Sequence, residues 1–87
     1  MKDFATFVQL VHSTSNLEML EDLLVGITTQ KEREEIVSRI NIVEKLIEKI
    51  PQQQIAKELG VGVATVTRGS KELKNGRFKA LKATYVD

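Results

Sequence analysis

Cysteine is absent from the 87 residues, so neither disulfide staples nor a cysteine-based metal site can hold this chain together. No apolar run reaches the length of a membrane span and no signal-peptide pattern opens the chain, so no membrane partner is expected and the cytoplasm is the expected compartment. Histidine occurs once, at His12, with no acid-and-nucleophile set around it, and an enzyme is not expected. No repeat, low-complexity tract or long linker interrupts the chain. Proline occurs once, at Pro51, and it separates halves of opposite charge. Residues 1–50 hold six Lys/Arg against nine Asp/Glu, a net of −3, and residues 51–87 hold seven against three, a net of +4.

What is present suits one small globular domain spanning residues 1–87, with 41% hydrophobic and 29% charged residues. Such a length is at the small end for a self-sufficient core, which makes help from oligomerisation plausible. Apolar residues at Phe4, Phe7, Val8, Leu10 and Val11 recur at helical spacing and predict a first helix from Asp3 to Ser13. Ser13-Thr14-Ser15-Asn16 reads as a break and a cap, and Leu17, Leu20, Leu23 and Leu24 form the stripe of a second helix ending near Gly26. Thr29-Gln30-Lys31-Glu32 is a capping box that opens a long third helix, expected to end near Lys49. Its Ile36, Val37, Ile40, Ile42, Val43, Leu46, Ile47 and Ile50 make a stripe wider than two short amphipathic helices cover. Either a second subunit meets that stripe or it is the central core of a monomer.

Residues 52–73 read as a helix-turn-helix. Two short helices crossing steeply need a small residue at their contact, here Ala56, and a φ-permissive residue at the reversal, here Gly60. Ile55, Leu59, Val61 and Val66 point into the core between them. Gln53, Val63, Ala64, Thr65 and Thr67 are left near the outward face or its leading end. A face that is small, uncharged and able to hydrogen-bond fits close approach to base edges and thymine methyls in a major groove. Lys57 and Lys74, with Arg68, Lys71, Arg77, Lys79 and Lys82, are candidates for phosphate contact. Beyond Leu73, Asn75-Gly76 is a stop signal, and Phe78, Leu81, Tyr85 and Val86 predict a short terminal helix or tail over residues 74–87. The expected architecture is all-α, with residues 1–50 as a dimerisation body.

Ile27-Thr28-Thr29-Gln30-Lys31-Glu32-Arg33-Glu34, Arg39-Ile40-Asn41-Ile42-Val43-Glu44 and Leu59-Gly60-Val61-Gly62-Val63-Ala64-Thr65-Val66-Thr67-Arg68-Gly69-Ser70 together resemble the bacterial tryptophan operon repressor family. The resemblance extends roughly from Phe7 to Lys74. It implies an intertwined helical homodimer that binds double-stranded operator DNA when L-tryptophan acts as corepressor. By the same resemblance, Arg39 and Arg68 match the pair that sandwiches the indole, with Arg68 facing the ligand carboxylate. Thr29, Gly69 and the backbone of Gly26 and Thr28 match other pocket positions, and partner-chain carbonyls receive the amino group. Gln53, Lys57, Gly62, Val63, Ala64, Thr65, Thr67 and Lys74 are the residues expected at the DNA. Gln53 and Ala56 stand where well-known members carry basic residues, which shifts phosphate contact toward Lys57.

The residues admit plainer roles. Arg39 follows Glu35 by one helical turn and can form an exposed ion pair, Arg68 can meet a phosphate, and Thr29 is already a cap. Gly69 inside a helix costs about 1 kcal/mol relative to Ala and needs a packing or approach reason. Two other functions stay open at this point: an effector-independent helix-turn-helix DNA-binding domain of the same superfamily, and a helical module that binds a protein through the wide stripe.

Overall fold

A computed structural model describes residues 2–85, which form six helices and no strand. Val86, expected in the terminal helix, lies outside the described residues. The chain divides into two units, the first ending at Arg33 and the second beginning at Glu34, a boundary inside the third helix and not at Pro51.

In the first unit, α1 (Phe4–Ser13) begins where Asp3 caps it, its carboxylate accepting from Thr6 N at 2.9 Å and Thr6 Oγ1 at 2.7 Å. Helix α2 (Leu17–Ile27) is capped by Asn16, whose side chain accepts from Met19 N at 3.0 Å. It runs one residue past the expected stop at Gly26, because termination comes from Thr28 and from a side chain of the next helix. Arg33 Nη1 donates to Val25 O at 3.1 Å and Thr28 O at 2.8 Å, placing a cation on the open carbonyls of α2, which has no basic residue in its own last turn. The long helix α3 (Gln30–Ile47) opens with the expected reciprocal cap: Thr29 N donates to Glu32 Oε1 at 2.8 Å and Glu32 N to Thr29 Oγ1 at 3.1 Å. These caps are local. None of the described residues up to Arg33 is buried, and Phe4 and Leu17 are 76% and 80% exposed.

The second unit contains the rest of α3, then α4 (Gln52–Leu59), α5 (Val63–Lys74) and α6 (Lys79–Ala83). Its core is Ile42, Ile55, Ala56 and Val66, with Leu46, Ile50, Leu59 and Val61 packed against it. Ile55 and Val66 are fully buried, and each such side chain contributes about 1.5–3 kcal/mol by leaving water. Polar ties hold α4 in place at both sides. Thr67 Oγ1 donates to Gln52 Oε1 at 2.9 Å, joining α5 to α4, and Lys45 Nζ meets Glu58 Oε2 at 3.1 Å, joining α3 to α4.

Three helix ends in this unit share one geometry. After α3, Ile50 N donates to Lys45 O and Lys49 N to Leu46 O, with Lys49 left-handed at φ 69°. After α4, Val61 N donates to Ala56 O with Gly60 at φ 66°, and after α5, Arg77 N donates to Glu72 O with Gly76 at φ 88°. This is the Schellman end, which favours glycine at its left-handed position. The first of the three uses lysine, and for that reason α3 stops at Ile47, two residues before the expected Lys49, with no glycine to mark it.

Replacing Lys49 by Gly is expected to stabilise the fold by about 0.5–1 kcal/mol, since relief of the left-handed strain exceeds the added freedom of the unfolded chain. The urea midpoint should rise at unchanged slope; a fall would contradict the cap assignment. A second expectation concerns acid. The carboxyls of Asp3, Glu32 and Glu58 are held below their ordinary values, chiefly by hydrogen bonds from Thr6 N, Thr29 N and the Gln54 side chain. A carboxyl depressed by folding adds stability above its unfolded value, and that stability is lost as pH falls through the folded value. Glu32→Gln should therefore be less stable than wild type at pH 7, with the gap closing as pH drops below about 4; equal gaps at both pH values would exclude the carboxylate as the cause.

Candidate ligand cavity and nucleic-acid interface

Helical periodicity brings the cavity residues together. On α3, Arg39, Ile42 and Val43 share one face; on α5, Thr65, Arg68, Gly69 and Glu72 share another. With Ala64 and Phe78 they line a cavity of about 390 Å³, within the roughly 300–1,000 Å³ usual for small-ligand sites. Ile42 and Val43 are buried and form an apolar floor, while Arg39 and Arg68 are exposed at the rim. Among the described residues neither guanidinium is in an ion pair, so the plain reading of Arg39 as a partner of Glu35 is not realised.

Gly69 packs directly on α3. A Cβ there would lie 3.4 Å from Ile42 Cγ2 and 3.6 Å from Leu46 Cδ1, ordinary contact distances, so the position beside the cavity has room for alanine but not for a large side chain. The opposite wall ends at Phe78, which is half-buried and left-handed at φ 65° after the turn at Gly76. Glu72 adds a carboxylate, paired with Arg77 Nε at 3.5 Å.

Of the expected ligand residues, Arg39, Arg68 and Gly69 meet in this one cavity. Gly26, Thr28 and Thr29 belong to the other unit. There Gly26 is exposed within α2, Thr28 is half-buried with its carbonyl and hydroxyl accepting from Arg33, and Thr29 is exposed as the cap of α3. Of the residues expected at DNA, Gln53 and Lys57 are exposed on α4, Gly62 caps α5, and Val63, Ala64, Thr65 and Lys74 are exposed along it. Ala64 and Thr65 also line the cavity. Thr67 is half-buried, and its hydroxyl faces α4 through the bond to Gln52.

Sequence reasoning did not assign Ile42, Val43, Glu72 or Phe78 to the site. The first two were visible as stripe residues without a sign that a ligand would share the stripe. Glu72 was findable, since it follows Arg68 by one helical turn. Phe78 was not, because its position depends on a left-handed turn.

An exposed, uncharged first turn of α5 (Val63, Ala64, Thr65), a basic second half of the chain and a cavity beside the same helix fit a class: small all-helical regulators that read DNA and answer to a ligand. Comparison with known proteins is consistent with that class. The model of the family described as Trp repressor protein matches residues 2–83. A Trp operon repressor homolog of Vibrio campbellii is 43% identical over 75 residues, covering 85% of this chain and 75% of the relative. The homolog of Vibrio cholerae is 46% identical over 69 residues (78% and 67%), and that of Aliivibrio fischeri 40% over 74 residues (84% and 68%). The chain belongs to the Trp repressor family, a family of DNA-binding regulators and not of enzymes.

The packing role of Gly69 sets an expectation. Gly69→Ala should change stability by less than about 1 kcal/mol, because the gain in helix propensity offsets a tight but tolerable contact with Ile42. Gly69→Leu should cost about 1–3 kcal/mol by overpacking. Denaturant melts of both variants test this, and a Leu variant as stable as wild type would show that α5 does not depend on the approach.

Proposed function

We propose that the protein is a transcriptional repressor that binds double-stranded operator DNA as a homodimer when L-tryptophan fills the cavity between α3 and α5. The observation that carries this reading is the pair of guanidiniums, Arg39 and Arg68, which among the described residues are in no ion pair and which line the cavity with the buried Ile42 and Val43. A flat aromatic ring on that floor places its faces toward the guanidinium planes, and a carboxylate fits the fork of Arg68. The ligand's amino group meets backbone carbonyls of the second protomer, for which Gly26 and Thr28 are candidates, with Thr29 beside them.

Helix α5 does two jobs in this scheme. Its cavity face carries Thr65, Arg68 and Gly69, and its leading end carries Gly62, Val63 and Ala64 toward the major groove, with Gln53 of α4 alongside. Thr67 holds α4 to α5, so ligand and DNA act on one unit. Linkage then requires each to raise the other's affinity by the same factor, typically ~1–3 kcal/mol. Lys57 and Lys74 supply phosphate contacts without sequence information. The exposed apolar side chains of Phe4, Leu17, Met19, Ile27 and Val37 favour burial against a second copy. Two-fold pairing would set the recognition helices about one DNA turn, ~34 Å, apart. The cytoplasm is the compartment this reading proposes, since that is where a bacterial operator is reached.

Calorimetric titration with L-tryptophan is expected to show about one ligand per chain, with affinity down roughly tenfold or more in Arg39→Ala and in Arg68→Ala. Undiminished binding in Arg39→Ala would refute the cavity as the site. DNA binding that is the same with and without tryptophan would favour an effector-independent DNA-binding domain.

A further inference from the structure

Helical spacing places Ser70, Leu73 and Lys74 on the side of α5 away from Arg68, and there, with the end of α3, they line a second cavity of about 410 Å³. The two cavities share no lining residue. Leu46, Ile47 and Leu73 give the second one a half-buried apolar floor. Its rim is made of Lys49, Lys74 and Lys82, and no carboxylate lines it. Among the described residues none of these ammonium groups is in an ion pair. Lys82 is held over the floor by a long bond, its Nζ donating to Leu73 O at 3.5 Å, which leaves donors free for an anion.

Two further features separate this cluster from a solvated basic face. Ser70 is only 9% exposed and lines the cavity. The side-chain hydrogen bonds nearest to it along the chain are those of Thr67 and of Lys82 with Leu73, and the Ser70 hydroxyl joins neither. Every fully enclosed side-chain N or O among the described residues has a partner, so a hydroxyl without one opens onto the cavity. The other feature is Lys49, which keeps a left-handed backbone where glycine would be easier. Strain of that kind is retained at functional positions, and here the lysine puts a cation at the rim.

A phosphomonoester matches the arrangement. Near neutral pH it carries a charge of about −1.5 to −2 on three acceptor oxygens, which suits several ammonium donors and a hydroxyl, while an attached apolar body suits the floor. A backbone phosphodiester carries a single charge and brings no such body. We infer that the cavity between the ends of α3 and α5 binds a small phosphomonoester with a compact apolar or aromatic body. The site stands apart from the tryptophan cavity, and the strongly exposed Phe4, Leu17 and Val37, assigned above to contact with a second copy, are not among its walls.

The test is calorimetric titration of the full chain with phenyl phosphate, inorganic phosphate and dimethyl phosphate. Phenyl phosphate is expected to bind about tenfold or more tightly than either of the others, since inorganic phosphate lacks the body and dimethyl phosphate the second charge. Lys49→Gly and Ser70→Ala should each weaken phenyl phosphate roughly three- to tenfold. Because Lys49→Gly is expected to be more stable than wild type, a loss there is not a loss of folding. Arg68→Ala should leave phenyl phosphate binding unchanged. No saturable binding of phenyl phosphate by wild type overturns the site outright. Equal binding of inorganic phosphate reduces the cavity to a basic patch, and equal binding of dimethyl phosphate assigns its lysines to nucleic-acid backbone; either result overturns the site. So does full affinity in both Lys49→Gly and Ser70→Ala, or loss of binding in Arg68→Ala, which would put the anion in the first cavity.

Discussion

At Gly69 the helix α5 packs directly on α3, where an added Cβ would sit 3.4 Å from Ile42 Cγ2, and the core and the cavity lie on either side of that contact. On one side of the contact, Ile42 closes over Ile55, Ala56 and Val66 and fixes α4 and α5 to the long helix. On the other side, the same Ile42 with Val43 becomes the floor of a cleft whose walls are the flanking turns of α3 and α5. A larger side chain at position 69 would separate the helices and loosen both. A Cβ alone would fit at this distance, so the contact excludes large side chains and not alanine.

Stability is unevenly distributed along the chain. Every buried hydrophobic side chain described lies between Ile42 and Val66, and the residues up to Arg33 rely on Asp3, Asn16, Thr29, Glu32 and Arg33 to close the ends of their helices. Capping interactions are worth roughly 0.5–2 kcal/mol each and short isolated helices are marginal in water, so caps alone do not hold such a segment in one arrangement. The proposed homodimer supplies what is lacking, because a second copy gives those apolar stripes a surface to cover. It also explains why the long helix carries a stripe on residues such as Ile36 and Val37 that remain exposed in the single chain.

What could be read from the residues beforehand was governed by range. Caps and turns are local, so the Thr29–Glu32 box, the Asn16 cap and the reversal at Gly60 were legible and the helices fell close to their expected bounds. The end of α3 had no local signal of the usual kind, since it stops at a left-handed lysine, whereas α2 ends at Ile27, within one residue of the expected Gly26. Within the cavity, Arg39, Arg68 and Gly69 were singled out through family resemblance, whereas Phe78 and the Arg77–Glu72 pair depend on a turn that brings residues after α5 back beside it. Thr67 was assigned near the outward face by helical periodicity, yet it follows Val66 closely enough around the helix to reach α4 and bond Gln52.

The proposed sharing of α5 between a ligand face and a DNA face has a physical consequence for control. A ligand shifts an equilibrium only by its difference in affinity for the alternative states, so the cavity must change when the reading helix changes pose. Arg68 and Gly69 satisfy that condition because they belong to α5 while Arg39 belongs to α3. Any displacement of one helix on the other alters the gap in which an aromatic ring would lie. The Thr67–Gln52 bond carries α4 along with α5, and the Lys45–Glu58 bridge that ties α4 to α3 is partly solvent-exposed and therefore weakly restraining. The helix pair is thus tied within itself by that bond and held to the long helix through the buried Ile42, so a ligand wedged between α3 and α5 would act on the pair as one piece.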